Sequence, residues 1–313
     1  MEIAKLGEFG LIDRLTKDLE IKNESTKKGV GDDCAVLSYP DKEVLITTDL
    51  LMEGVHFDLT YIDLKHLGYK SAMVNISDVF AMNGTPRQVT VSLAISITCI
   101  GEAAKEDIVY RNGAKNTDLI CVSGDLGAAY MGLQLLEREK SVYYQQVEEA
   151  QKKNDKKALE MLAHFQPDFT GKEYLLQRQL QTEARGDIIK KLREAGIHPT
   201  AMMDISDGLS SELMHICKQS GVGCRIYEKN IPIDYQTAVM AEEMNMNVTT
   251  CALNGGEDYE LLFTVPIGDH EKIEQIEGIK LIGHITEQKY GNMLVTRDNQ
   301  EFTLKAQGWN PLQ

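Results

Sequence analysis

Apolar residues in the first third of the chain come in short runs separated by turn residues. Residues 35–37 and 44–48 are β-type runs divided by the turn signal Pro40-Asp41. Between residues 64 and 82 the pattern changes. Apolar side chains there fall at Leu64, Leu67, Ala72, Val74, Ile76, Val79 and Phe80, a helical spacing that stops at Asn83-Gly84. Residues 89–100 are mostly apolar and read as strand, and because twelve residues exceed the usual strand length a bend or break is expected near Ser96. The charged stretch at 102–107 is the expected domain boundary, dividing the chain into 1–106 and 107–313.

In the second part, Leu119-Ile120-Cys121-Val122 reads as a buried strand that ends in Gly124-Asp125-Leu126-Gly127. A helix is predicted from there through Leu136, followed by a segment at 137–160 rich in Glu, Lys and Gln that reads as a solvated helical insertion. Residues 187–194 form a helix up to Gly196, residues 201–205 a strand, and residues 207–220 a helix closed by Gly221. Strands alternating with helices indicate α/β or α+β layers. No tandem repeat or low-complexity tract interrupts them.

Composition narrows the class. A chain of 313 residues suits two cores, because single cores stop growing near about 250–300 residues. With 42% hydrophobic and 26% charged residues, disorder is excluded. No apolar run approaches the roughly 20 residues of a membrane helix, so no membrane partner is expected. The start Met1-Glu2-Ile3-Ala4-Lys5 lacks a secretion-signal layout, and six cysteines without a C-x-x-C pair read as reduced thiols of a cytoplasmic protein. The net charge of −15, with no basic run longer than a pair, argues against nucleic acid as a partner. Small anions fit only if a cation screens the charge. Walker, G-x-G-x-x-G and H-E-x-x-H motifs are absent.

The positions of the aspartates carry the candidate chemistry. Asp32-Asp33 follows Gly29-Val30-Gly31, Asp49 ends a strand run after Thr47-Thr48, Asp78 lies inside the helical segment, and Asp204 and Asp207 bracket a strand-to-helix junction. Taken singly, each is explained as a cap or turn residue; Asp207 suits a helix N-cap and Asp32 a turn. Taken together, with the two threonine hydroxyls, they fit oxygen-only ligation of Mg²⁺, which favours a few carboxylates plus water and phosphate. The glycines of Gly29-x-Gly31, Gly124-x-x-Gly127 and Gly255-Gly256 allow close approach of backbone to a ligand, or simply make turns.

Several strings resemble the motifs of bacterial thiamine-monophosphate kinases. They are Gly-Val-Gly-Asp-Asp-Cys-Ala-Val at 29–36, Thr47-Thr48-Asp49, Gly54-Val55-His56-Phe57, Lys70-Ser71-Ala72 and Asn75-Ile76-Ser77-Asp78. Further on come Arg111-Asn112-Gly113-Ala114-Lys115, Met203-Asp204-Ile205-Ser206-Asp207-Gly208-Leu209, Gly255-Gly256-Glu257-Asp258-Tyr259-Glu260-Leu261 and Gly308-Trp309-Asn310. They occur in the family's order and span nearly the whole chain. The wider superfamily includes aminoimidazole ribonucleotide synthetase, selenophosphate synthetase and a hydrogenase-maturation protein.

The resemblance implies an N-terminal α/β domain that pairs into a homodimer barrel, and a C-terminal α+β domain that closes over ATP. It implies several Mg²⁺ ions on Asp33, Thr47, Thr48, Asp49, Asp78, Asp204 and Asp207, with Asp49, Asp78 and Asp204 at the catalytic centre. Arg111 and Ser206 match nucleotide contacts, and His56, Glu257 and Trp309 match the region that receives thiamine monophosphate. The implied reaction is ATP-dependent phosphorylation of thiamine monophosphate to the diphosphate. The alternatives are another ATP-using synthetase of the superfamily, or a catalytically impaired nucleotide-binding relative. In one place the chain departs from the family pattern, which has a helix and a strand ending in Gly-Gly-Asp-Thr between the strand starting at Val89 and the one starting near Ile97. Here Ser92-Leu93-Ala94-Ile95-Ser96 runs straight into Ile97-Thr98-Cys99. A few dozen residues are missing after Ser96, and with them a further metal-binding aspartate and nucleotide contacts of the family. The reduced sheet is expected to leave an exposed edge.

Overall fold

The structure, a computed structural model, describes residues 24–92 and 96–306 together with 14, 16–18 and 20–22. Two sheets organise it. The first is antiparallel throughout, in the order β1-β2-β3-β5-β4, from β1 (Thr26–Lys28), β2 (Ala35–Ser38), β3 (Glu43–Leu50), β4 (Thr85–Ser92) and β5 (Ser96–Ala103). Alternation along β3 buries Glu43, Leu45 and Thr47 on one face. Against that face lies α1 (Leu64–Ala81), which brings Val79 to a core shared with Val36, Leu45 and Cys99. Asp63 caps α1 by accepting the His66 N–H at 2.7 Å. The helix stops where Asn83 takes a φ of 56° and the Gly84 N–H returns to the Val79 carbonyl.

The second sheet has the order β12-β11-β8-β10-β6-β9-β7. Its strands are β6 (Leu119–Ser123), β7 (Ala201–Asp204), β8 (Val222–Tyr227), β9 (Leu261–Val265), β10 (Ile279–Glu287), β11 (Asn292–Val295) and β12 (Glu301–Thr303). Helices α2 (Ala128–Lys152), α3 (Lys156–Leu162), α4 (Glu173–Leu180), α5 (Gly186–Glu194), α6 (Leu209–Ser220), α7 (Tyr235–Glu243), α8 (Val248–Asn254) and α9 (His270–Glu274) complete this half. Strand β6 is buried on both faces. Ile120 and Val122 join a core with Leu213 and Ile216 of α6, while Leu119 and Cys121 join another with Ile188 and Leu192 of α5. Each such fully buried aliphatic side chain contributes roughly 1.5–3 kcal/mol. Ala81 at the end of α1 belongs to the second of these cores, so α1 is packed between the two halves.

Two expectations change in the folded chain. The apolar run at 89–100 is not one strand bent near Ser96 but parts of two that pair with each other, β4 and β5 being antiparallel with Ser92 opposite Ser96. Doubling back satisfies the backbone groups of both segments, which a single twelve-residue strand at the sheet margin would not do. Strand β4 is left at the edge, with Val89 46% and Val91 68% exposed. Residues 93–95 lie outside the described part. Asp207 is not a helix cap either. Gly208 stands before α6 with a φ of 117°, and a Cβ there would come within 2.8 Å of the Asn254 Cα, so the backbone turns sharply before the helix starts. The polar segment after Leu136 continues α2 to Lys152 and adds α3. The six cysteines are all buried and free, and no described helix is long and apolar enough to cross a membrane.

Candidate active site

Three carboxylates from three distant parts of the chain converge. Asp33 comes from the turn before β2, Asp78 from the last turns of α1, and Asp204 from the end of β7; one oxygen of each lies within 4.8 Å of the others. Each is held by its own neighbours. Thr47 of β3 donates its hydroxyl to Asp78, Ser77 donates to Asp204 at 2.5 Å, and the Arg111 guanidinium donates to Asp33 at 2.7 Å. The other Asp33 oxygen, Oδ2, is buried without a hydrogen-bond partner.

Gathering negative charge away from water has a predictable effect. Burial pushes the Asp204 carboxyl up to about 7, and Asp33 adds to the rise. Burial pushes Asp78 well above the ordinary carboxylate range, helped by Asp204, Asp49 and Asp33. Asp33 is raised by burial despite Arg111, and Asp49 is raised by burial, with His56 acting against it. Asp32 rises to about 6, through burial first and then the charge of Asp33. Three carboxylates gathered this close, with one buried oxygen unpartnered, suit a hard divalent cation. Zinc or copper sites would draw on thiol or imidazole ligands.

The surrounding residues fall into groups. Asp49 sits on the same face of β3 as Thr47, its N–H donating to Asn75 Oδ1 at 3.1 Å. Thr48 points to the opposite face, where its hydroxyl donates to the Ile97 carbonyl at 3.0 Å and accepts from Thr98. That is the consequence of strand alternation, which puts neighbours on opposite sides. His56 is exposed on the loop after β3, with Nδ1 accepting the Met52 N–H at 3.0 Å. Arg111 spans Asp32 and Asp33. The Asp207 N–H donates to Glu212 Oε1 at 2.9 Å, which secures the turn that carries Asp204, Ser206 and Asp207. Trp309 lies outside the described residues.

The loop at 255–260 is bound to the same turn. The Glu257 N–H donates to the Ser206 carbonyl at 2.6 Å and the Tyr259 N–H to the Ile205 carbonyl at 2.8 Å. Both residues have positive φ, 59° and 50°, a conformation that non-glycine residues hold only when the surroundings enforce it. The carboxylate oxygens of Glu257 are engaged by Lys70 at 3.0 Å and by Gln179 at 2.8 Å. Asp258, pushed up to about 7 by burial, accepts the N–H groups of Gly127 and Ala129 at the start of α2. Burial raises the Tyr259 phenol, and so do the charges of Glu257, Asp49, Asp204 and Asp78. Ser77, Asn75 and Tyr259 were not singled out from the sequence as site residues. Only their place inside the motif strings marks them.

The fold is that of the AIR synthase related proteins. Residues 31–131 match the AIR synthase related protein N-terminal domain, and residues 141–296 match the AIR synthase related protein C-terminal domain. The chain is 32% identical to a thiamine-monophosphate kinase of Aquifex aeolicus (strain VF5) over 338 aligned positions, covering 92% of this chain and 98% of the relative. A thiamine-monophosphate kinase of Buchnera aphidicola (subsp. Schizaphis graminum) is 30% identical, with 97% and 98% covered. A solved structure described as AaThiL complexed with AMPPCP and TMP superposes with a TM-score of 0.77 at 30% identity, covering 99% of each chain. The chain belongs to the thiamine-monophosphate kinase family. The 338 aligned positions outnumber its 313 residues, so the Aquifex relative carries residues that this chain lacks.

Proposed function

We propose that this chain transfers the γ-phosphoryl group of ATP to thiamine monophosphate, giving thiamine diphosphate and ADP. The observation that carries this is the cluster of Asp33, Asp78 and Asp204, drawn from both halves in a chain whose relatives are thiamine-monophosphate kinases. An oxygen of the acceptor phosphate forms the new bond to the γ-phosphorus, the bond to the β–γ bridging oxygen breaks, and ADP leaves with that electron pair. The acceptor is a phosphate monoester with a second pKa of about 6, so it already carries the nucleophilic oxyanion and needs no strong base. The obstacle is repulsion between two phosphates.

Asp33, Asp78 and Asp204 are the residues that would hold Mg²⁺, with Asp49, Thr47 and Asp207 beside them; Thr48 faces away and is left out. Bound Mg²⁺ supplies charge screening between the phosphates. Thr47 and Ser77 orient the carboxylates, and Arg111, which holds Asp33, is the proposed contact to the nucleotide. Ser206, on the same turn as Asp204, is a proposed nucleotide contact. His56 and Trp309 are the proposed neighbours of the thiamine ring, and Glu257 borders that region. The division at 106/107, a homodimer formed through the first sheet, and a cytoplasmic location that keeps six thiols reduced complete the proposal. Incubation with Mg²⁺, ATP and thiamine monophosphate, with chromatographic separation of thiamine esters, tests it. Thiamine diphosphate should form in step with ADP and should not form in chelator.

A further inference from the structure

Lys70 is a charged residue that the mechanism above does not use, yet its side chain is only 3% exposed. It lies on α1, seven residues before Ser77, which at 3.6 residues per turn puts the two within about 20° of the same helix face. Both reach across to the other half of the molecule. Ser77 donates to Asp204 at 2.5 Å, and Lys70 donates to Glu257 Oε1 at 3.0 Å. Glu257 Oε2 is held by Gln179 of α4 at 2.8 Å. Through its backbone, Glu257 is also bonded to Ser206, two residues after Asp204.

The geometry points to Lys70 as a positioning residue: with Glu257 and Gln179 it clamps α1 to the 204–207 turn and so fixes the distance between Asp78 and Asp204. Like charges at the cluster push these two carboxylates apart, and α1 carries one while the turn carries the other. A link on the same helix face, anchored to a loop whose φ angles leave it little freedom, resists that separation. A buried lysine without a carboxylate would be costly, so removing Glu257 strands Lys70, while removing Lys70 leaves Glu257 with Gln179 alone. The clamp rests on reading the carboxylate cluster as a divalent-cation site, and its test reads cation binding directly.

Mn²⁺ affinity, measured by electron paramagnetic resonance without nucleotide, separates the possibilities. Lys70→Met should weaken Mn²⁺ binding by about tenfold or more, and Gln179→Leu, which keeps the lysine, by a few fold. The double variant Lys70→Met/Glu257→Met replaces an ion pair with apolar groups of similar length and should recover affinity to within about threefold of the parent. A lysine acting only through its charge would repel the cation, so tighter binding in Lys70→Met would overturn the clamp. Unchanged Mn²⁺ affinity in both Lys70→Met and Gln179→Leu, with only the melting temperature lowered, would overturn it too. If the parent protein binds no Mn²⁺, the cation site itself falls and the clamp with it.

Discussion

Asp78 lies among Asp33, Asp49 and Asp204, and burial with their charges holds its carboxyl well above the ordinary range. Asp78→Asn keeps the volume and removes a charge. Mg²⁺-dependent turnover should fall by about 100-fold or more, while the melting temperature of the metal-free protein stays level or rises, because like-charge repulsion is relieved. Loss of fold together with activity would instead mark Asp78 as structural. Asp204 gives a pH signature. Its folded pKa is about 7, against an ordinary value of 3.8, so between those pH values the folded state binds more protons than the unfolded one. Stability of the metal-free protein contributed by this group is therefore fully present below about pH 4 and is lost as pH rises through about 7. Thermal melts from pH 5 to 8 should show a steeper decline in the parent than in Asp204→Asn. Parallel slopes would contradict the burial of that charge.

At the scale of elements, most strands and helices were legible from apolar runs and the turn residues that bound them. The run after Pro40-Asp41 marked β3, a loosely helical spacing ending at Asn83-Gly84 marked α1, and Gly221, with φ at 66°, closes α6 where the glycine stop was expected. What escaped was pairing. The length of residues 89–100 signals a break near Ser96, but an apolar run carries no sign that it reverses, so the two strands' pairing with each other was not legible. The start of α6 escaped for a different reason: Asp207 has cap chemistry, but the sharp turn at Gly208 and the bond to Glu212 decide where the helix begins. Gly208→Ala should cost about 1–3 kcal/mol in urea unfolding, from the positive φ and the collision with Asn254. A change under about 0.5 kcal/mol would mean that the turn relaxes freely. On the edge strand, Val91→Lys should reduce self-association in sedimentation while leaving stability within about 0.5 kcal/mol.

In the whole molecule, the candidate site was legible as a set of aspartates but not as a shape. Asp33, Asp78 and Asp204 are far apart in sequence, and only the packing of α1 between the two halves brings them within 4.8 Å. Thr48 shows the limit of motif reasoning, since it shares a string with Thr47 and Asp49 but faces the other side of the strand. The cross-half pairing of Lys70 with Glu257, 187 residues apart, has no local signal at all. The β4–β5 pair is expected to stand where the family pattern has a helix and a strand; loss of that segment would remove nucleotide contacts while the carboxylate cluster stays. Phosphoryl transfer should therefore be slow and still depend on the cation. The most direct measurement is the yield of thiamine diphosphate from Mg²⁺, ATP and thiamine monophosphate, for the parent chain and for a version with the family segment inserted between Ser96 and Ile97. Expected is slow, chelator-sensitive formation by the parent and a rate about tenfold or more higher in the lengthened version. Transfer to thiamine monophosphate by neither protein, or equal transfer with and without chelator, would contradict the assignment.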